Sequence, residues 1–135
     1  VDIVTGCLFL ISRENWDKLG GFYLTFVMYG EEADLCQRAR TELGADPHIT
    51  PAANIIHYGG ASETVRADKV IRVNRAKTEL IKRHLPAWQQ PIARMLFAAW
   101  PLSRRVAFSL IRKPAAQDWS EVWARRGEWQ KGFSS

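Results

Sequence analysis

Tyr29-Gly30-Glu31-Glu32-Ala33-Asp34-Leu35 is the stretch that decides how the rest of this chain is read. Three carboxylates fall within four residues, directly behind a glycine and at the head of an apolar rhythm set by Leu35, Ala39 and Leu43. That rhythm, at i, i+4 and i+8, predicts an amphipathic helix over residues 31–43, closed by Gly44. Glu31 and Asp34 share one face of it, and Glu32 points about a quarter turn away. The first turn of a helix offers unpaired N–H groups and the positive end of the helix dipole, both of which favour an ionised carboxylate. Such a group is ready to accept a proton. The plainer reading is that acidic residues favour helix N-termini whatever the function.

Upstream, residues 3–11 are rich in Val, Ile, Leu and Phe and interrupted by Thr5-Gly6, which predicts a buried strand with a close backbone approach at the glycine. Ser12 is placed to cap a short helix over residues 13–19, and Gly20-Gly21 stops it. Residues 22–29 read as an aromatic loop packing under the acidic helix. Downstream, residues 45–50 and 54–58 read as two further short strands, with Pro51 opening the turn between them. From residue 63 the character changes to helix. Residues 66–84 carry Val70, Val73, Leu80, Ile81 and Leu85 in helical rhythm, and Pro86, Pro91 and Pro101 are expected to divide the remainder into short pieces. A last helix is expected over residues 117–129, with Trp119, Val122 and Trp123 on one side.

The charge is unevenly spread. Residues 1–62 hold four Lys and Arg against eight Asp and Glu, whereas residues 63–135 hold fifteen against six. An acidic front and a basic back imply different partners for each. Cys7 and Cys36 form neither a disulfide framework nor a metal-ligand spacing. Cys36 shares the helix of Leu35 and Ala39, so a buried free thiol in a reducing, cytoplasmic setting is expected. No signal peptide is visible, and no apolar run approaches the roughly 18 residues that span a bilayer. Val1-Asp2-Ile3-Val4 runs at once into a strand pattern without an initiating Met, which reads as a fragment of a longer protein.

Four motifs in order carry a family resemblance: Thr5-Gly6-Cys7-Leu8; Leu19-Gly20-Gly21-Phe22; Phe26-Val27-Met28-Tyr29-Gly30-Glu31-Glu32-Ala33-Asp34-Leu35-Cys36-Gln37-Arg38-Ala39-Arg40; and Ile55-Ile56-His57-Tyr58-Gly59-Gly60-Ala61-Ser62. Together they resemble the C-terminal half of family 2 glycosyltransferases, nearest the bacterial rhamnosyltransferase-like branch. The resemblance covers residues 1–62 and, more loosely, Val73-Asn74-Arg75 and Lys82-Arg83-His84. It implies an α/β fold, here an α+β fragment forming the acceptor-side half of a GT-A domain (residues 1–62), followed by a basic helical region (residues 63–135). It also implies a nucleotide-sugar donor and an inverting hexosyl transfer to a saccharide or lipid-linked acceptor in surface polysaccharide or glycolipid synthesis.

In such enzymes the acidic pair before the helix supplies the general base, which puts Glu31 and Glu32 at the catalytic positions and Glu32 at the base itself. The family usually has Asp where Glu32 stands, and commonly Asp where Tyr23 stands. Asp34 is implied to bond acceptor hydroxyls, Arg38 to steady the site and Gly6 to bring the backbone close to the sugar. The plain reading of Asp34 and Arg38 is a surface ion pair at i, i+4, worth a few tenths of a kcal/mol; that of Gly6 is a strand bulge. His57 matches a His that reaches the metal or the diphosphate in several members, although a lone His ending a strand is usually structural. The family's divalent cation (Mn²⁺ or Mg²⁺) is held mostly by an Asp-x-Asp motif after a Rossmann-like region. Nothing in this chain resembles either, so the chain by itself is expected to be inactive.

Residues 87–113 interleave apolar runs with Arg94, Arg104, Arg105, Arg112 and Lys113, a pattern that suits an anionic membrane surface and a peripheral location on the inner face of the cytoplasmic membrane. The competing reading is a helical subdomain that packs on the catalytic part or on a second copy in a homo-oligomer. An alternative to the transferase is a non-catalytic basic module binding nucleic acid or an anionic membrane surface. Charge alone gives non-specific phosphate affinity, but no helix-turn-helix or zinc-finger pattern is present.

Overall fold

Ser12 sets the first helix, α1 (Arg13–Leu19): its backbone is extended and its side-chain oxygen accepts the Asn15 N–H at 3.2 Å. Gly20, with φ +69°, ends it. The second helix, α2 (Glu31–Leu43), is closed in the same way by Gly44 at φ +62°. The computed structural model describes residues 1–57 and 66–133, and the chain forms two units, Val1–Ala61 and Ser62–Ser135. The first unit is held by Leu19, Leu35 and Ala39, with Phe9, Trp16 and Phe22 around them. Edge-to-face contacts at 5.2 Å (Trp16–Phe22) and 5.9 Å (Phe9–Phe22) tie the aromatic loop to α1 and to the chain before it.

The expected α/β fold is overturned, because among the described residues there is no strand and no sheet. Residues 3–11, 45–50 and 54–57 are irregular (Tyr58 and the Gly59-Gly60-Ala61-Ser62 part of the fourth motif lie outside the described residues). The physical reason is that a strand is a property of a pair. Its N–H and C=O groups need a ladder partner, and side-chain propensity cannot supply one. Leu8, Leu10, Ile49 and Ile56 carry the strand-like pattern and stand exposed.

The second unit is built from α3 (Arg66–His84), α4 (Gln90–Leu110) and α5 (Ala116–Ala124), closed by a 3₁₀ turn, Arg126–Glu128. Ala67, Ile71, Asn74 and Thr78 form the main buried stripe of α3, about a third of a turn from the Val70–Val73–Leu80 rhythm. Ala67 and Ile71 pack on Val122 of α5 and on Trp129, whose indole is fully buried and donates to the Val122 carbonyl at 3.0 Å. At the corner between α3 and α4, the Gln90 side-chain amide donates to the Lys82 and Leu85 carbonyls at 3.0 and 2.9 Å. Two boundaries differ from expectation. Pro101 lies inside α4 and does not break it. Proline costs a helix interior about 3 kcal/mol, but this one is fully buried on the packed side of the helix, and Trp100 beside it meets Trp119 edge-to-face at 5.0 Å. The last helix ends at Ala124, because the chain must turn back to bury Trp129.

Four side chains clamp the end of this unit onto α3 and α4. Buried Glu79 accepts the Phe133 N–H at 3.0 Å and the Arg83 Nε at 3.1 Å. Arg75 donates to the Gly132 carbonyl at 3.0 Å and lies over the Phe133 ring at 4.8 Å. Lys82 and Arg94 donate to the Lys131 and Gln130 carbonyls at 3.1 and 2.7 Å. Arg125 gathers Glu128, Asp68 and Glu121, and its hydrogen bond holds the Glu128 carboxyl below its usual range. A depressed carboxylate contributes stability above that range and loses it as the pH falls through it. At Gly132 a Cβ would lie 2.4 Å from Glu79 Oε2, and φ is +72°. Gly132→Ala is therefore expected to lower the unfolding free energy by about 1–3 kcal/mol. Gly127→Ala, whose Cβ meets nothing within 4 Å, should change it by less than about 0.5 kcal/mol. Denaturant titration followed by circular dichroism checks both.

Candidate active site

The three carboxylates at the head of α2 go three ways, and the backbone before them explains how. Tyr29 and Gly30 both adopt left-handed φ, +69° and +90°, so the chain turns sharply into the helix, and no side chain caps its first N–H groups. Only Gly takes this conformation without strain; for Tyr29 it costs roughly 1–2 kcal/mol. Asp34 is wholly buried and meets Arg38 Nε at 2.8 Å. Glu32 lines a cavity, and Glu31 does not.

Asp34 and Arg38 form a buried pair, not a pair on the helix surface. The remaining guanidinium donors of Arg38 reach the Leu19 carbonyl at 2.6 Å and the Gly21 carbonyl at 2.7 Å, and its plane lies 4.2 Å from the Tyr23 ring centre. Arg38 therefore binds α2 to the C-terminal end of α1, and Asp34 neutralises it there. Both side chains are thus engaged within the protein, where the resemblance implied that Asp34 bonds acceptor hydroxyls and Arg38 steadies the site. Tyr23 is the platform under this cation, a role with no sign in the sequence, since nothing in spacing marks a residue as stacked.

The cavity, about 750 Å³, lies within the first unit. Its wall is largely apolar, from residues 3–11, Leu35 and Ala39 of α2, and residues 45–57. Glu32 and His57 both line it. Gly6 sits between the lining residues Thr5 and Cys7 and backs onto Glu32: a Cβ there would stand 3.8 Å from Glu32 Cδ, an ordinary contact. The Oε2 atoms of Glu32 and Glu31 are buried without a hydrogen-bond partner among the described residues. An unpartnered buried acceptor costs about 1–3 kcal/mol, so Glu32 is poorly explained as packing. Sequence reading passed over His48, which lines the same cavity and lies 3.5 Å from Asp46. The i, i+2 spacing of an extended segment, which puts both side chains on one side, was the available signal.

Among the described residues no three His, Cys, Asp or Glu side chains gather closely enough to hold a divalent cation, so His57 faces the cavity without a ligand set around it. No family model matches the chain, and no characterised protein or solved structure matches it.

The positioning role of the buried pair has a direct test. Asp34→Ala is expected to cost about 3–5 kcal/mol of stability by leaving Arg38 charged and buried without its partner. Arg38→Lys should be destabilising too, since an ammonium cannot hold the carboxylate and both carbonyls in one plane. Lys18→Ala, which removes an exposed pair with Glu14, should cost at most about 1 kcal/mol. Urea unfolding of the three variants separates these outcomes.

Proposed function

We propose that the first unit carries the acceptor-side general base of an inverting glycosyl transfer, and that Glu32 is that base. The observation that carries the reading is a carboxylate oxygen, buried and unpartnered, on a side chain lining a cavity of about 750 Å³. Largely apolar walls with a few polar groups are the usual character of small-molecule sites, and the faces of a sugar ring offer C–H surface to such walls. The four ordered motifs supply the reaction class.

In the proposed step an acceptor hydroxyl lies within hydrogen-bond reach of Glu32. Its oxygen forms the new bond to the anomeric carbon of the donor as the bond from that carbon to the nucleotide diphosphate breaks. The electron pair leaves with the diphosphate, and the hydroxyl proton passes to Glu32. A single displacement inverts the anomeric configuration and needs no covalent enzyme intermediate. Arg38 and Asp34 hold the head of α2 against α1, which fixes the origin of the Glu32 side chain. The longer arm of Glu, relative to the Asp common in the family, moves the carboxylate about one methylene further into the cavity.

Protein expressed from its complete gene, assayed with a panel of nucleotide-sugars in the presence of Mn²⁺ or Mg²⁺, is expected to release nucleoside diphosphate when acceptor is supplied. Glu32→Gln should lower kcat by roughly 10²- to 10⁴-fold, the usual contribution of a general base, with its thermal melt unchanged. Full activity in Glu32→Gln overturns the assignment of the base. Absence of any transfer, together with salt-sensitive retention on nucleic acid that is indifferent to Glu32, overturns the reaction class.

A further inference from the structure

The outer face of α4 is exposed and, apart from Ser103, apolar along the helix. At 100° per residue, Ile92, Met95, Leu96, Leu102, Val106 and Leu110 fall within an arc of about 120°. All six are exposed, Leu110 to 78 % and Met95 to 65 %. No charged residue lies in that arc. Arg94 and Arg105 stand on one side of it and Arg104 on the other, each roughly 60–80° beyond its edge. The opposite side of α4 is accounted for, since Phe97 and Ala98 pack on the core and Pro101 is buried. Burial within the unit therefore does not explain the apolar arc.

We infer that this face of α4 lies on an anionic phospholipid surface, parallel to it, with the arc in the acyl boundary and the flanking cations at the headgroups. Charge decides the occupant. Residues 88–113 hold five Lys and Arg and no Asp or Glu. A second copy of the same face would set arginine against arginine, whereas anionic headgroups compensate both margins at once. One of the cations also has the amphipathic setting that an interface requires. Arg104 lies 5.8 Å from the centre of the Trp100 ring, so this charge rides on an aromatic surface beside the arc. Trp88, 72 % exposed just ahead of the helix, is the residue type enriched at that depth. No helix among the described residues is long and apolar enough to cross a membrane, so the geometry is surface-lying. The inference does not rest on the role of Glu32.

Co-sedimentation of the full chain with vesicles of phosphatidylcholine containing about one-third phosphatidylglycerol tests it. Wild type is expected to pellet with these vesicles and to remain largely in solution with phosphatidylcholine alone. Leu96→Glu with Val106→Glu should weaken binding at least roughly tenfold, with helicity and melting unchanged because both side chains face outward. Arg104→Gln with Arg105→Gln should weaken it by a similar factor at low salt and reduce its salt dependence. A blue shift of tryptophan emission on adding the anionic vesicles gives a readout on wild type alone. The inference is overturned by binding indifferent to the glutamate substitutions, or by equal binding to both lipids. It is equally overturned by a protein that ignores vesicles and forms a dimer those substitutions dissociate.

Discussion

One guanidinium holds the first unit in shape. Arg38 takes the Asp34 carboxylate, two carbonyls at the end of α1 and the face of Tyr23, using the donors of a planar group that no other side chain provides. A buried charge is tolerated only when it is paired and its hydrogen-bonding groups are satisfied; here the pairing comes from Asp34 one turn away, and the further hydrogen bonds from carbonyls 17 and 19 residues upstream. The glycines of the α1–α2 turn follow from this. Gly21 presents its carbonyl to Arg38 from a left-handed backbone, and a Cβ there would stand 2.8 Å from the Trp16 ring.

That clamp gives the head of α2 its two-sided character. Of three adjacent acidic positions, one is consumed in holding the helix down and one faces a cavity, so the same short run supplies structure and candidate chemistry. The left-handed turn at Tyr29-Gly30 aims the first helical residues, and the chain at Gly6 lies behind Glu32. The second unit repeats the principle with opposite charge. Buried Glu79 is the anchor there, and Arg83, Lys82 and the Phe133 amide surround it. In the first unit a buried ion pair fixes a turn onto a helix, and in the second a buried carboxylate does so.

The helices could be read from local signals. Ser12, Gly20 and Gly44 mark ends that depend on neighbouring residues alone, and α1 and α2 begin and stop where those residues say. The strands could not, because residues 3–11 and 45–57 have strand composition without a partner to pair with among the described residues. Pro101 misled in the other direction. A local helix breaker is overridden when its ring is buried in a packed face and the turns on either side are held by Trp100, Trp119 and the α3 contacts. Of the candidate site, the acidic run and His57 were visible as residue types at particular places. Which carboxylate meets the cavity was not, since the two-residue step from Glu32 to Asp34, about 200° around the helix, separates the acid that lines the cavity from the one buried against Arg38.

The amino-acid sequence by itself determined where α1 and α2 begin and end, the separation of an acidic front from a basic back, and the short list of groups able to move a proton. These follow from capping, periodicity and charge, which act over a few residues. Only the tertiary structure decided that Asp34 and Arg38 are buried together, that Glu32 and His57 line one cavity, and that α4 runs unbroken with its apolar arc turned outward. Each of those depends on groups distant in the chain competing for the same partner or the same space. No local pattern encodes the winner of that competition.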